Sequence, residues 1–548
     1  MRTVRQHRYI AFLIILMMLA AGLCSCSGAE QRDQKTDTSS YVVSVWDEPD
    51  TVDFQCTTLY YNTAYSVFDR LIKMETDGKG GTVIEPMLAE SWKVSGDERI
   101  YTFRLREGVT FSNGSPLTSE DVEYTFTRLL THPDSHNRDI VRCIKGAEAL
   151  ENGKADSLEG FMTRGDLDFM IVLDEPFEAF LACLTMPGAS ILDKETTEKA
   201  GDSFGKDAEH TIGTGPFILD EWTPGKGMLY SANMDCWAGA PESEGLDVRF
   251  VKDSETIRTM FDEDELDVMD LEDLDNSAEF YIHGDIYKDR RHEAQQVGIT
   301  YIALNESLEP LNDVRVRKAL QLAVDRDLLL NSVYDGLGSV ENGIYPRGLY
   351  GFDPDLETIP FDPDEARRLL GQAGYPGGFD ITFSVRASSS QNEMEMVRMI
   401  SDMWEAVGVN AMVEVIDDKA FMEHRKSGDL SCYEATWIAD YNDPDNFVYT
   451  FFGSSNNTKF RSLCYPDEKV MERVRLARTI TDPDRRIKEY RELEKKIIQE
   501  DAAWIPLFSR KRIYVTSERL DGFRTAWTGR YFANYREMSV GNTDKQKG

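Results

Sequence analysis

The sequence predicts an α/β protein of two or three structural units, one of which is a smaller α+β unit. The chain has 548 residues, 41% of them hydrophobic, which is enough to bury more than one core. In the second half, stretches with helical spacing alternate with stretches of period two, the order typical of an α/β lobe. The first half mixes short strands and helices less regularly, and this mixture predicts the α+β unit.

Residues 1–26 have the features of a lipoprotein export signal. Three arginines precede an unbroken apolar run over 9–23, which is too short for a comfortable membrane span. The sequence Leu-Cys-Ser-Cys then has the shape of a lipobox. Cys26 follows the small Ser25 and is predicted to become the lipid-bearing N-terminus, with Cys24 as the competing position. No second apolar stretch is long enough to span a membrane.

The segment after the signal and the charge of the chain limit the partners. Residues 27–40 contain no large apolar side chain, so we expect a flexible tether. The net charge is −36, which argues against nucleic acid and anionic lipid surfaces as partners. Acidic residues are concentrated in 262–275, which lacks the glycine and closing glutamate of a calcium loop. This cluster is interpreted as a solvated face.

Six cysteines remain after Cys24 and Cys26, and no pair of them has the C-x-x-C spacing of a zinc site. They are Cys56, Cys143, Cys183, Cys236, Cys432 and Cys464. An even set in an exported protein permits disulfides, such as Cys143 with Cys183 or Cys432 with Cys464. Six unpaired core cysteines are an equal alternative.

The first part of the chain contains clear strand and helix signals. Residues 41–46 predict a strand, a helix is predicted within residues 51–74, and residues 100–105 predict a second strand. The face of the first helix is formed by Ala64, Val67, Phe68 and Leu71. Thr118 and Asp121 resemble a capping box that opens another helix.

The second half alternates helices with strands. Helices are predicted to begin at Asn312 or Asp313, at Asp362, and at Asp482, in each case at a capping residue. Strands are predicted around 381–385 and 409–415, with a helix bearing a methionine-rich stripe between them. We interpret that stripe as a packed core face rather than a soft metal site.

Several motifs in order resemble the bacterial extracellular solute-binding proteins of family 5, the dipeptide, oligopeptide and nickel receptors of ABC importers. These motifs are Glu85–Trp92, Tyr101–Val109, Leu117–Val122, Gly213–Phe217, Asp313–Leu320 and Asp440–Pro444. The resemblance covers the chain from Tyr41 onward. It implies a two-lobed periplasmic-binding-protein-like fold (type II, cluster C) with an extra α+β domain.

The family pattern also implies domain boundaries. Residues 41–74, 190–290 and 508–548 would form a discontinuous first lobe. The extra domain would span 75–189, and the second lobe 291–507. Residues 503–508 resemble the family's strand that returns to the first lobe.

Asp440 is the leading candidate for ligand binding. A strand is predicted over 432–438, and an Asn-Asp-Pro-Asp turn follows, so Asp440 would lie just past the strand's C-terminal end. That end faces the ligand crevice in open α/β sheets. The alternative role is a turn carboxylate that caps nearby backbone amides.

The resemblance assigns further residues to the site. Asp440 resembles the residue that receives the ammonium of a peptide, and Arg386 resembles the arginine that holds the carboxylate in dipeptide-binding members. Aromatic walls could come from Trp437, Tyr441 and Phe447, although aromatics at strand ends are more often part of the core. Thr58 and Tyr60 occupy the loop that approaches the ligand from the first lobe.

The expected function is a substrate-binding lipoprotein outside the cytoplasmic membrane, at the cell surface or in the periplasm. It would capture short peptides between two lobes as a monomer, without a cofactor, and deliver them to a membrane permease. A receptor for a nickel chelate, haem or an oligosaccharide is the alternative on the same fold. An exported peptide hydrolase is the alternative from another class, although the chain has only seven histidines and no H-E-x-x-H motif.

Overall fold

The computed structural model describes residues 39–57, 61–78, 81–274, 278–530 and 535–541. The predicted signal, with Cys26, and the predicted ligand-loop residues Thr58 and Tyr60 lie outside these ranges. Within them, no helix combines the length and the apolar composition that a membrane span requires.

The described residues form twenty strands. They are β1 Ser40–Val45, β2 Ile72–Thr76, β3 Thr82–Pro86, β4 Ala89–Val94, β5 Ile100–Leu105, β6 Phe161–Thr163, β7 Asp168–Val172, β8 Phe217–Thr223, β9 Gly227–Ala232, β10 Gly245–Phe250, β11 Val268–Asp270, β12 Arg291–Gln295, β13 Gly298–Leu304, β14 Gly338–Val340, β15 Phe379–Arg386, β16 Val409–Ile416, β17 Cys432–Ile438, β18 Trp504–Thr516, β19 Leu520–Asp521 and β20 Ser539–Val540.

The helices of the described residues fall mostly in the second half. They are α1 Asn62–Ser66, α2 Ser119–Thr131, α3 Ala147–Glu151, α4 Phe180–Cys183, α5 Lys194–Ala200, α6 Ser254–Asp262, α7 Ala278–His283, α8 Val314–Leu322, α9 Arg326–Tyr334, α10 Pro363–Gln372, α11 Gln391–Glu405, α12 Asp418–Ser427, α13 Asp445–Phe452, α14 Ser455–Phe460, α15 Glu468–Ala477 and α16 Pro483–Glu494.

One twelve-stranded sheet runs through the molecule in the order β16-β15-β17-β13-β18-β11-β1-β10-β9-β8, and β12 and β14 also pair with β18. We call the part formed by β1 and β8–β12 the first lobe, and the part formed by β13–β17 the second lobe. Strand β18 belongs to both lobes. Its residues 504–508 pair with β13, whereas its residues 514–516 pair with β11. Strand β18 thus runs from the second-lobe sheet into the first-lobe sheet.

The extra unit contains a four-stranded sheet, β4-β5-β7-β6, and the separate pair β2-β3. Helix α2 begins with the predicted capping box, in which Thr118 and Asp121 bond each other's backbone amides. Its apolar stripe packs into the core of this unit, a cluster that also contains Phe103 and Phe169. The predicted α+β character of this unit follows from these elements.

The two faces of the second-lobe sheet have separate cores. One core contains Phe447, Phe451 and Trp504, and the other contains Phe383 and Trp404. The methionine stripe of α11 packs into the second of these cores, as the sequence predicts. The predicted α/β, two-lobed architecture with an extra α+β unit is thus confirmed.

Two chain segments cross between the lobes side by side. Strand β12, which the predicted boundary places in the second lobe, pairs with Lys511–Val515 on the first-lobe side. The neighbouring β13 pairs with the second-lobe half of β18. Between them the Gln296 amide donates to the Arg510 carbonyl at 3.0 Å, so the two crossings are hydrogen-bonded to each other.

The helix predicted within 51–74 is present as the five residues of α1, but it does not extend through Val67, Phe68 and Leu71 as its predicted face requires. The backbone beyond Ser66 forms hydrogen bonds with distant parts of the chain instead. The Val67 carbonyl accepts from the Gly215 amide at 2.8 Å, and the Leu71 carbonyl accepts from the Ala89 amide at 2.9 Å. These tertiary hydrogen bonds replace the helical ones, while the apolar residues of the predicted face remain buried.

Two other expectations are also corrected. The acidic cluster is only partly a solvated face, because Asp267 is fully buried and bonded by the Arg519 Nε at 2.7 Å, and Asp270 receives the Arg512 Nε at 2.7 Å. All six cysteines lie in described residues and all are free thiols, so neither predicted disulfide forms. The alternative of six unpaired cysteines is the correct one.

Candidate ligand-binding site

Asp440 lies where the sequence predicts it, two residues past the end of β17 and exposed to solvent. The preceding amide, on Ala439, donates to the Val297 carbonyl in the segment that crosses between the lobes. Asp440 therefore lies beside the junction of the lobes, at the C-terminal end of a strand that is central in the second-lobe sheet. Within the described residues its carboxylate has no ion-pair partner.

Asn446 holds Asp440 from both sides. The Asn446 Oδ1 accepts from the Asp440 amide at 3.0 Å and from the Trp437 indole Nε1 at 3.3 Å, and its Nδ2 donates to the Asp440 Oδ2 at 3.0 Å. An amide side chain accepts with its oxygen and donates with its nitrogen. The three hydrogen bonds together therefore fix the orientation of the Asn446 side chain. The hydrogen bond uses one of about four acceptor positions on the carboxylate and leaves the others for a ligand.

We expect Asn446→Asp to weaken ligand binding about tenfold to a hundredfold, because it loses a hydrogen bond to a charged group and places two carboxylates together. Isothermal calorimetry with a dipeptide would measure the change. Asn410→Asp is the matched control, since Asn410 makes the same type of bond to Asp380 on the exposed surface. An equal loss of affinity in both variants would contradict the role of Asn446.

Arg461 supplies a positive charge behind the site. Its guanidinium stacks on the Trp437 ring at 4.7 Å and on the Phe451 ring at 4.2 Å, and its Nε donates to the Thr450 carbonyl at 3.2 Å. Desolvation raises the pKa of Asp440, whereas the Asn446 hydrogen bond and the Arg461 charge oppose this rise. The surrounding protein thus partly desolvates the Asp440 carboxylate, although water can still reach it.

Arg386 is at the same edge of the sheet. It is the last residue of β15, which runs parallel to β17 with Ser384 opposite Tyr433. When this register is continued, the end of β17 lies three residues beyond the level of Arg386, or about 10 Å. The Arg386 side chain is exposed, and its Nη2 is 3.9 Å from the Glu393 Oε1.

The aromatic candidates have different positions. Trp437 is half-buried beside Asp440 and is held by Asn446. Tyr441 turns away, because its hydroxyl donates to the Asp445 Oδ2 at 3.0 Å and its ring packs against the core of the extra unit. Phe447 is fully buried in the second-lobe core, which is the alternative role that the sequence left open for these aromatics.

The turn after Asp440 is anchored by buried ion pairs that sequence reasoning missed. Asp443 receives both terminal nitrogens of Arg486, at 2.7 and 2.8 Å. Asp445 accepts from the Tyr490 hydroxyl at 3.2 Å and lies 3.0 Å from the Arg478 Nε. The turn thus contains one exposed acid and two buried acids, and the buried acids hold the exposed one in place.

The extra unit contacts this same turn. The Asn442 Nδ2 donates to the Thr82 Oγ1 at 2.8 Å, and the Arg478 guanidinium stacks on Phe177 at 4.4 Å. The position of Asp440 therefore depends on the second lobe and on the extra unit. No local sequence signal could have shown these contacts, because the partners are hundreds of residues apart in the chain.

Comparisons with known proteins agree with this architecture. Heme-binding protein A of Haemophilus influenzae is 29% identical over 486 residues, 85% of this chain and 86% of that protein. The dipeptide-binding protein of Escherichia coli is 28% identical over 466 residues, 82% and 84% of the two chains. The solved structure of HbpA2 from Haemophilus parasuis is 26% identical, covers 92% of this chain and all of that chain, and superposes with a TM-score of 0.75.

The match to a family model shows which family the chain belongs to. The model of the bacterial extracellular solute-binding proteins, family 5, matches residues 83–459, which is more than half of the chain and includes Asp440 and Arg386. This range contains most of the motifs from which the sequence was judged to resemble that family. The chain therefore belongs to the bacterial extracellular solute-binding proteins of family 5.

Proposed function

We propose that this protein is the substrate-binding receptor of an ABC importer, and that it captures short peptides at the junction of its two lobes. The observation that carries this proposal is Asp440, an exposed carboxylate without a cationic partner among the described residues. A free peptide presents an ammonium that needs such a partner when it leaves water. Asp440 would receive the ammonium, and Arg386 the carboxylate.

The spacing of the two groups supports short ligands. Arg386 and the end of β17 differ in level by three residues, and Asp440 lies two residues further, so the two groups are about 17 Å apart along the strands before their side chains are counted. An extended peptide spans at most about 3.6 Å per residue, so a dipeptide or tripeptide fits between two side chains that reach toward each other. Thr58, Tyr60 and Trp437 would line the remaining space.

Haem is the second candidate ligand, because one relative is named heme-binding protein A. Haem carries two carboxylates and no ammonium, so Asp440 would have no counterpart in such a complex. A nickel chelate has less support: the described residues contain no group of three His, Cys, Asp or Glu side chains arranged for a metal ion. The unpaired carboxylate therefore favours a peptide.

The lipid anchor, the oligomeric state, the permease partner and the domain boundaries are inferred from the membership of this chain in the family. We infer that Cys26 carries a lipid that anchors a monomer outside the cytoplasmic membrane, and that a permease recognises the closed form. We also infer the division into residues 41–74, 190–290 and 508–548, residues 75–189, and residues 291–507, except that β12 at 291–295 belongs with the first lobe. The separate hydrophobic cores support this division. Replacing Cys26 with Ser and following the protein in membrane fractions would test the anchor.

We expect a mixture of dipeptides to raise the melting temperature and to reduce the radius of gyration, because a ligand held by both lobes stabilises the closed form. Thermal denaturation and solution X-ray scattering would measure the two effects. The peptides should remain intact in mass spectra after incubation. Steady cleavage of a peptide, lost when the protein is denatured, would instead support the hydrolase alternative, and stabilisation by haem alone would support the haem receptor.

A further inference from the structure

A group of charged side chains surrounds Arg386 at the end of β15. Within the described residues the Arg386 guanidinium donates no hydrogen bond, and its nearest carboxylate is that of Glu393 at 3.9 Å. Glu393 is itself held in place at the start of α11, where its Oε2 accepts from the Ser390 amide at 2.8 Å. Arg386 is therefore available for a ligand, but it has acidic neighbours.

Glu434 is the second of these neighbours. It is half-buried in the central strand β17, one residue after the position that pairs with Ser384 of β15. No described cation comes within ion-pair distance of its carboxyl group. On its other side Arg510 lies 3.2 Å from Glu272 and stacks on the Tyr334 ring at 4.8 Å. The two arginines that flank Glu434 thus each have a nearer acidic partner.

We propose that Glu434 is a specificity-determining residue, which in its neutral form lets Arg386 bind the ligand carboxylate and in its ionised form competes with that carboxylate for Arg386. This inference rests on the proposed function. The ligand carboxylate would join three acids near Arg386, namely Glu393, Glu434 and Asp418. These acids cannot all be ionised close together without strong repulsion, and one proton on Glu434 reduces that repulsion.

The surroundings of Glu434 favour the neutral form. Burial and the charge of Glu393 raise the pKa of Glu434 to about 8, against the opposing charges of Arg386 and Arg510 and a hydrogen bond with Thr436. The other titratable groups that face it are tyrosines, Tyr334 of α9, Tyr301 of β13 and Tyr433 of its own strand. Burial raises the pKa of each of these tyrosines, so they add no charge.

The raised pKa of Glu434 determines how ligand affinity changes with pH. Below pH 8 Glu434 is protonated and Arg386 is free to bind the carboxylate. Above pH 8 the proton must be taken up when the ligand binds, and each further pH unit weakens binding by up to tenfold. Binding of the ligand carboxylate is therefore coupled to uptake of one proton.

The test compares wild type with Glu434→Gln, a neutral isostere, by calorimetry between pH 6 and pH 9. The probes are the dipeptide alanyl-phenylalanine and its C-terminal amide. For the dipeptide we expect the ratio of the wild-type Kd to the variant Kd to be near one at pH 6 and about tenfold at pH 9. The peptide ammonium also titrates, but it affects both proteins equally and cancels in the ratio. For the amide the ratio should stay near one throughout.

Glu423→Gln is the matched control, because Glu423 is exposed on α12 and its replacement should leave the dipeptide ratio at one at every pH. A flat ratio for Glu434→Gln would overturn the inference while peptide binding itself stands. A loss confined to peptides with a lysine side chain would overturn it as well, since Glu434 would then hold a ligand cation. If wild type binds neither probe, this result contradicts the proposed function itself.

A second measurement needs only the wild-type protein. Calorimetry at pH 8.5 in two buffers of different ionisation enthalpy gives the number of protons taken up on binding. The dipeptide should take up more protons than its amide, and equal uptake for the two ligands would exclude the coupling.

Discussion

Replacing Asp440 with Ala should lower the affinity for a free dipeptide by about a hundredfold to three-thousandfold. The peptide ammonium would then be enclosed without a partner, which costs about 3–5 kcal/mol when one member of a buried ion pair is removed. In the open cleft the Asp440 carboxylate is exposed, so the substitution should change the stability of the ligand-free protein little. Calorimetric titration of both proteins gives the affinity.

An acetylated dipeptide completes this test. Acetylation removes the ammonium from the ligand, and wild type should lose affinity to a comparable extent. The combination of Asp440→Ala with the acetylated peptide should cost much less than the sum of the two single changes, as expected for direct partners. If Asp440 were only a turn cap, the variant would still discriminate fully between free and acetylated peptides, and its stability would fall by about 1 kcal/mol.

Replacing Asp443 with Ala should instead destabilise the protein. We expect the free energy of unfolding of the second lobe to fall by about 3–5 kcal/mol. Arg486 is only 1% exposed, and the variant would leave its charge buried without the two hydrogen bonds that it donates to Asp443. Guanidinium denaturation followed by tryptophan fluorescence would measure the change.

Asp484→Ala is the control for this second substitution. Asp484 is an exposed acid in the first turn of α16, the helix that also carries Arg486. Its removal should cost no more than about 1 kcal/mol. If Asp443→Ala were as mild as Asp484→Ala, the ion pair with Arg486 would not anchor the turn. Together the Asp440 and Asp443 variants separate binding from stability within four residues of one motif.

The position of Asp440 was predictable because its signals are local. The β-branched and aromatic residues of β17 and the Asn-Asp-Pro-Asp turn after it place the carboxylate at the end of a strand. The capping box of Thr118 was predictable for the same reason, since both partners lie within one helical turn. The order of motifs also identified the family, whose model matches 83–459.

The errors arose where the partners are distant in the chain. The buried Asp267 looked like part of an acidic surface, because its partner Arg519 is 252 residues away. The predicted helix after α1 was lost to hydrogen bonds from Gly215 and Ala89. The role of Asn446 was missed although it lies only six residues after Asp440, because an asparagine in a turn gives no indication that its side chain bonds back to the preceding strand.

Strand β18 determines when the twelve-stranded sheet can be completed during synthesis of the chain. Its residues 504–516 are close to the end of the 548-residue chain, yet both lobes need them in the interior of the sheet. After β13 has been synthesised, about 10–40 s must pass before residue 504 is added. During this time both lobes lack the strand that they share. The two lobes therefore reach their native sheets in one late event that joins distant parts of the chain, and a chain that ends before Trp504 leaves both of them incomplete.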